Sequence, residues 1–221
     1  GQSTVPDGVR RMSLGFGHYL SGDVFAPERA EEPLTPIIWL NPFSHSYGYT
    51  GAYVAGEQIY HRLAREGYLV LTFNQIGYGP RVEEGLEFGR RYPRWSLLGK
   101  MVHDVMSAVD VLTRLAHPCQ GATGAETLDI PEVRTDRITC LGYSLGGLVA
   151  LCATAMDERI SAVASFCGAV PLRHMPVDTN KGPMQPFWQR LELLPKLGLF
   201  SGREDEIPLG LDDLLRLVAP R

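Results

Sequence analysis

The sequence predicts an α/β protein, a mostly parallel sheet flanked by helices, on three observations. Strand-like and helix-like segments alternate along its 221 residues. Short continuous apolar runs, such as Pro36-Ile37-Ile38-Trp39-Leu40 stopped by Asn41-Pro42, read as buried strands. A serine among glycines, Gly142-Tyr143-Ser144-Leu145-Gly146-Gly147, sits between such a run and a helix rich in Ala, Leu and Val.

The length suits one domain over residues 1–221, with 168–208 expected as an irregular excursion. At 44% hydrophobic and 21% charged residues, the chain has enough apolar material for a real core.

The elements follow in order. Gly15 to Phe25 reads as an opening strand or hairpin arm, and Pro36 to Leu40 as a buried strand. Ala55 to Glu66 has helical periodicity, with Ile59, Leu63 and Ala64 on one face and Gly67 as the stop. Tyr68 to Phe73 is a strand, and Asn74 to Pro80 a loop by composition. Trp95 to Leu115 is a helix with Met101, Val105, Ala108, Val109 and Leu112 at core spacing. His117 to Asp129 is a loop rich in small and polar residues. Arg137 to Leu141 is the strand before the serine, and Leu145 to Met156 the helix after it. Ile160 to Phe166 is a further strand, and Leu211 to Val218 the last helix.

Charge and composition narrow the partners. With 21 basic and 25 acidic residues, the net charge of −4 gives no electrostatic reason to expect nucleic acid or an anionic membrane. No apolar run reaches the roughly 18 residues of a membrane span. Of the four cysteines, Cys140 lies in a strand-like run and Cys152 in a helix-like one, which reads as buried free thiols rather than a disulfide framework. No Cys-x-x-Cys or His-x-x-x-His spacing points to a metal, and no cofactor is expected.

The chemistry rests on the serine. A hydroxyl is a poor nucleophile until a base takes its proton, and it must stand clear of the backbone for base and substrate to reach it. A sharp strand-to-helix turn achieves this but crowds the backbone, so small residues must flank the serine. Gly142 and Gly146 occupy those places around Ser144. An oxyanion hole would use the Leu145 amide and a second amide after Pro36 to Leu40. Pro42 has no N–H, so Phe43 is the first candidate and Ser44 the second.

The glycine-serine turn resembles the nucleophile elbow of α/β-hydrolases, in particular the dienelactone hydrolase and acetyl xylan esterase type. Two further segments are similar to bacterial esterase-like members of that group: Trp39-Leu40-Asn41-Pro42-Phe43-Ser44, and Arg91 to Asp104 with its Tyr92-Pro93-Arg94-Trp95-Ser96. Arg81-Val82-Glu83-Glu84-Gly85 fits the same subgroup. The resemblance implies an α/β-hydrolase fold and a serine esterase acting on a small-molecule or carbohydrate ester. In that fold the acid and the histidine follow the nucleophile in the chain, which argues against His45 as base although it lies beside the expected site. His174 is the one histidine after Ser144 and suits a substrate loop or a structural role better. His18, His61, His103 and His117 read as surface or satisfied polar residues.

Leu211 to Arg221 resembles the segment just before the next strand of the family. The resemblance therefore implies that the last two strands, the acid and the histidine lie outside this sequence. Otherwise the acid would come from Asp178 or from Glu204, Asp205 or Glu206, although that run suits a solvated loop, and Asp212 and Asp213 suit a helix first turn. Aromatics at Tyr47, Tyr49, Tyr53, Phe187 and Trp188 are candidates for a pocket, with packing the commoner use. Three functional readings stand at this point: a serine esterase (with a peptidase as its enzymatic rival), a non-catalytic scaffold used for binding, and an assembly in which a second chain completes the sheet.

Overall fold

The chain opens with a β-hairpin. In the computed structural model, which describes residues 5–43, 48, 56–116, 132–169, 173, 193–200 and 202–221, β1 (Val9–Phe16) and β2 (Leu20–Pro27) pair antiparallel from Val9 opposite Pro27 to Phe16 opposite Leu20. The expectation of one arm over Gly15 to Phe25 is thus corrected to two strands that begin earlier. Its reason is cross-strand chemistry: Arg11 and Ser13 of β1 both hydrogen-bond the Asp23 carboxylate of β2, at 2.8 and 2.7 Å. A strand stabilised by a partner across the turn leaves little trace in its own local pattern.

The remaining strands are β3 (Thr35–Leu40), β4 (Tyr68–Phe73), β5 (Ile138–Tyr143) and β6 (Ile160–Phe166). They join the hairpin in the order β1-β2-β4-β3-β5-β6. β2 meets β4 antiparallel, and β4, β3, β5 and β6 run parallel. The sheet is therefore mostly parallel, as the sequence predicts, with an antiparallel edge.

Alternation along each strand divides the core into two layers. Ile38 and Leu40 of β3 and Leu69, Leu71 and Phe73 of β4 face one side. There they meet Met101, Val105, Ala108 and Leu112 of α3 (Leu97–Ala116) and Val149, Ala150 and Ala153 of α4 (Leu145–Met156). Ile37 and Val70 face the other side with Val9 and Phe25, under α1 (Ile59–Arg65). Parallel strands need helices on both faces, which is why their sequences are apolar at successive positions.

Helix α1 corrects two expectations. It buries Tyr60, His61 and Ala64, while Ile59 remains 37% exposed. The aromatic ring decides the rotation, because Tyr60 packs on Phe25 with centroids 4.7 Å apart. His61 is 3% exposed rather than a surface residue, and its Nε2 has no hydrogen-bond partner. Burial holds its pKa below the ordinary histidine value. Gly67 ends the helix as expected, at φ 94°.

The sequence reading did not anticipate α2 (Val82–Arg91), which carries two glycines and buries Phe88 alone. The last helix, α5 (Leu211–Val218), has the predicted bounds and buries Leu214 and Val218. Within 168–208, the described residues include short 3-10 turns at Pro195–Phe200 and Glu204–Glu206. Cys140, Cys152 and Cys167 are free thiols; Cys140 is buried and Cys167 exposed. Among the described residues, no helix is long and apolar enough to cross a membrane.

Candidate functional site

Strand β5 leads through Tyr143 into a turn at Ser144, and α4 begins at the next residue. Ser144 has φ 53° and ψ −118°, a backbone conformation that L-residues rarely adopt. Such a conformation costs of order 1–3 kcal/mol and persists only where its surroundings impose it. Those surroundings are visible. The Ser144 N–H donates to the Phe166 carbonyl of β6 at 2.7 Å, and the Ser144 carbonyl accepts from the Leu148 N–H at 3.1 Å.

The flanking glycines are required by close approach. A Cβ on Gly142 would collide with the Gly146 carbonyl. A Cβ on Gly146 would collide with the Leu40 carbonyl and lie 2.7 Å from that of Asn41. The turn is therefore seated directly on the segment leaving β3. Half-buried Ser144 stands at the carboxyl end of the parallel strands, where open α/β sheets bind their ligands.

The oxyanion candidates lie at this same end. Leu145 is 1% exposed and is the first residue of α4, so its N–H has no acceptor within the helix. Leu40 pairs with Gly142, so Asn41-Pro42-Phe43 leaves β3 beside the elbow. The Asn41 carbonyl accepts from Gln75 Nε2 at 2.9 Å, and the Asn41 side-chain amide donates to the Pro42 carbonyl at 2.9 Å. Phe43 is half-buried, with its ring edge-on to Tyr78 at 5.2 Å. Tyr78 is 4% exposed, and burial pushes its phenol well above the usual range, so it is neutral.

Tyr78 belongs to a loop held by buried charge. Arg81 Nη1 donates to the Asn74 carbonyl at 2.9 Å and to Asp104 Oδ2 at 2.8 Å. Its Nε and Nη2 grip Glu84 at 2.7 and 2.9 Å. Lys100 supplies a second cation to Asp104, whose side chain is fully buried. Desolvation works against the Arg81 charge, but Glu84 and Asp104 outweigh it and raise its pKa. Two segments singled out by resemblance, Arg81 to Gly85 and Arg91 to Asp104, thus meet in one network beneath the loop that supports Phe43. Gln75, Tyr78, Arg81 and Asp104 hold the segment from Asn41 to Phe43 and the loop beside it, contacts that the sequence did not indicate. The available signal was the helical pairing of Lys100 with Asp104, four residues apart.

Other candidates fall away from the turn or outside the description. Ser44, His45, His117, His174, Asp178 and the aromatics at 47, 49, 53, 187 and 188 lie outside the described residues. His18 is in the β1–β2 turn, His61 on α1 and His103 on α3. No described residue hydrogen-bonds the Ser144 hydroxyl. Asp213 instead accepts the Gly210 N–H at 2.9 Å at the start of α5, and this bond holds its pKa low. Glu204, Asp205 and Glu206 form a 3-10 turn with no buried residue. No group of three or more potential metal ligands occurs among the described residues.

A mostly parallel sheet between helices, with a strained serine turn at its carboxyl end, defines an α/β-hydrolase fold. The family model for the dienelactone hydrolase family matches residues 43–187, about two thirds of the chain, and the protein belongs to that family. It is 26% identical, over a 213-position alignment, to YtaP of Bacillus subtilis (strain 168), a protein that carries a hydrolase name. That alignment covers 88% of this chain and 60% of YtaP, so the chain spans about three fifths of its relative's length. Among solved structures, a glucuronoyl esterase from Solibacter usitatus superposes with a TM-score of 0.61 at 14% identity, covering all of this chain and 68% of that one. A promiscuous CE15 esterase from a marine bacterial metagenome superposes at 0.59 and 12% identity, over 96% of this chain and 61% of that one. At such identities the likeness is one of fold.

Proposed function

We propose that the protein is a carboxylic ester hydrolase working through an acyl-enzyme on Ser144. The observation that carries this reading is the positive φ of Ser144 between two glycines that close approach requires. Strain of this kind at a hydroxyl residue on a strand-to-helix turn has a chemical use, since it lifts Oγ clear of the chain. Membership of a family named for hydrolysing a lactone, a cyclic ester, supports the same bond type.

In this reading Ser144 Oγ attacks the ester carbonyl while its proton passes to a base. The carbonyl oxygen becomes an oxyanion, received by the amides of Leu145 and Phe43. Collapse of the tetrahedral adduct breaks the bond to the alcohol oxygen, which leaves with a proton. Water then attacks the acyl-enzyme, releasing the carboxylic acid and restoring the hydroxyl. The substrate is an acetyl or carbohydrate ester or one similar to it.

The test is incubation with a fluorophosphonate followed by peptide mass spectrometry. An adduct on Ser144 is expected, absent from Ser144→Ala. Folded protein that takes no adduct, under conditions that label a control esterase, would overturn the reading. One observation favours a second reading: among the described residues neither an imidazole nor a carboxylate bonds the Ser144 hydroxyl. A binding scaffold needs neither, and it would give the negative labelling result.

A further inference from the structure

A cavity of about 330 Å³ opens on the same end of the sheet as the elbow. It is lined by His18, Phe88, Tyr92, Trp95, Lys100 and His103. Register places it there. Gly22, just inside the β1–β2 turn, pairs with Phe73 at the carboxyl end of β4, and Leu40 at the corresponding end of β3 pairs with Gly142. The β1–β2 turn that carries His18 therefore projects past the same edge as Ser144. Three to four strand spacings separate the two in the sheet order, a lateral offset of about 15–20 Å within the sheet.

The lining is built from two kinds of group. Phe88 is buried, and its ring is 5.4 Å from that of Tyr92 at a 40° tilt. Trp95 stands edge-on to His103, with centroids 5.7 Å apart. Tyr92 and Trp95 are each 50% exposed, so large aromatic faces meet the open space instead of closing on the core. Against them stand polar groups: the Lys100 ammonium, which donates, and the imidazoles of His18 and His103, each able to donate and accept. Among the described residues no carboxylate lines the cavity, and Asp104 lies fully buried, bonded to Lys100 and Arg81.

This pairing selects a ligand. Aromatic cages take cations, but the Lys100 ammonium in the wall opposes one. A purely apolar ligand would leave the polar edges of His18 and His103 unmatched. A ring with apolar C–H faces and oxygen acceptors around its rim satisfies both, and the volume is of the size used for small molecules. We infer that this cavity binds a pyranose ring of a carbohydrate. Resting on the proposed esterase reading, the ring held here is a sugar unit of an oligosaccharide some residues away from the one esterified near Ser144. The segment Arg91 to Asp104 then has a purpose beyond the ion network: Tyr92 and Trp95 are the platforms, and Ser96 caps the helix that presents Lys100 and His103.

The experiment is a titration of the full chain, and separately of Ser144→Ala, with xylotriose, cellotriose and benzoate. Binding is followed by ¹H–¹⁵N spectra and by tryptophan fluorescence. A saturable shift with a trisaccharide is expected, equal in Ser144→Ala. Trp95→Ala and Tyr92→Ala should each weaken it about fivefold to tenfold, by loss of an aromatic platform. Thermal melts of both variants establish that they are folded. The inference is overturned if neither trisaccharide binds at millimolar concentration, if benzoate alone binds, or if neither substitution weakens binding. Failure here and failure of the esterase reading separate cleanly. Trisaccharide binding without fluorophosphonate labelling keeps the cavity and removes the ester chemistry, and labelling without binding does the reverse.

Discussion

Two turns meet at the carboxyl end of this sheet, and they are held by opposite means. The elbow from Gly142 to Gly147 is fixed by sterics: backbone lies against backbone, and glycine is the residue that fits. The loop from Asn74 to Arg81 is fixed by charge, through a guanidinium that reaches back to its own loop and across to Asp104 on α3. Steric requirements fall on the residues of the turn itself. Ionic ones are shared with residues far along the chain, so a fault in one partner strands the others.

The largest expected effect tests that last point. Asp104→Ala leaves Lys100 without its carboxylate and Arg81 with Glu84 alone, and should cost about 3–5 kcal/mol in chemical denaturation. It should also slow labelling of Ser144, because the loop that supports Phe43 loses its anchor. Gly146→Ala comes next, at about 1–3 kcal/mol for a methyl forced against the end of β3. Its signature is the loss of fluorophosphonate labelling from protein that is still folded. If Gly146→Ala labelled normally, the steric account of the elbow would fail.

Smaller effects sharpen the contrast away from the site. Ser96 Oγ accepts the Gly99 N–H at 3.0 Å, capping α3 just before the residues of the ion network. Ser96→Ala should cost about 1 kcal/mol, read from the urea midpoint. The least effect concerns His61, whose folded pKa lies below the unfolded value of about 6.5. Between the two values the unfolded chain binds more protons, so stability falls as pH drops below about 6.5. His61→Phe should keep the packing on Phe25 and lose that acid-side slope, compared by urea midpoints at two pH values.

What the sequence made legible follows the same division. β3 to β6, α4 and α5 were readable because their apolar patterns answer to burial at their own positions. The elbow was readable because Gly142, Ser144 and Gly146 are neighbours in the chain. The hairpin was misplaced, since β1 depends on Asp23 across the turn. Helix α2 was missed because Phe88 is its one buried residue and Arg81–Glu84 does much of the anchoring. His61 was misread because a histidine between Phe25 and Tyr60 looks, in sequence, like any polar residue on a helix. Lys100 and Asp104 lie at helical spacing, but the pair of Arg81 with Asp104 was invisible for a different reason. Their pairing spans 23 residues, and nothing at either position announces the other.

The conformation of Ser144 has a consequence for how variation at this position would be sorted. Glycine adopts positive φ freely, so Ser144→Gly should relieve strain and leave a protein at least as stable as the parent. Among randomised position-144 variants sorted only for resistance to heat or protease, glycine should be enriched and serine outcompeted. Sorting for labelling would invert the outcome. The residue at 144 thus distinguishes selection for staying folded from selection for use, and under the proposed function serine answers to the second.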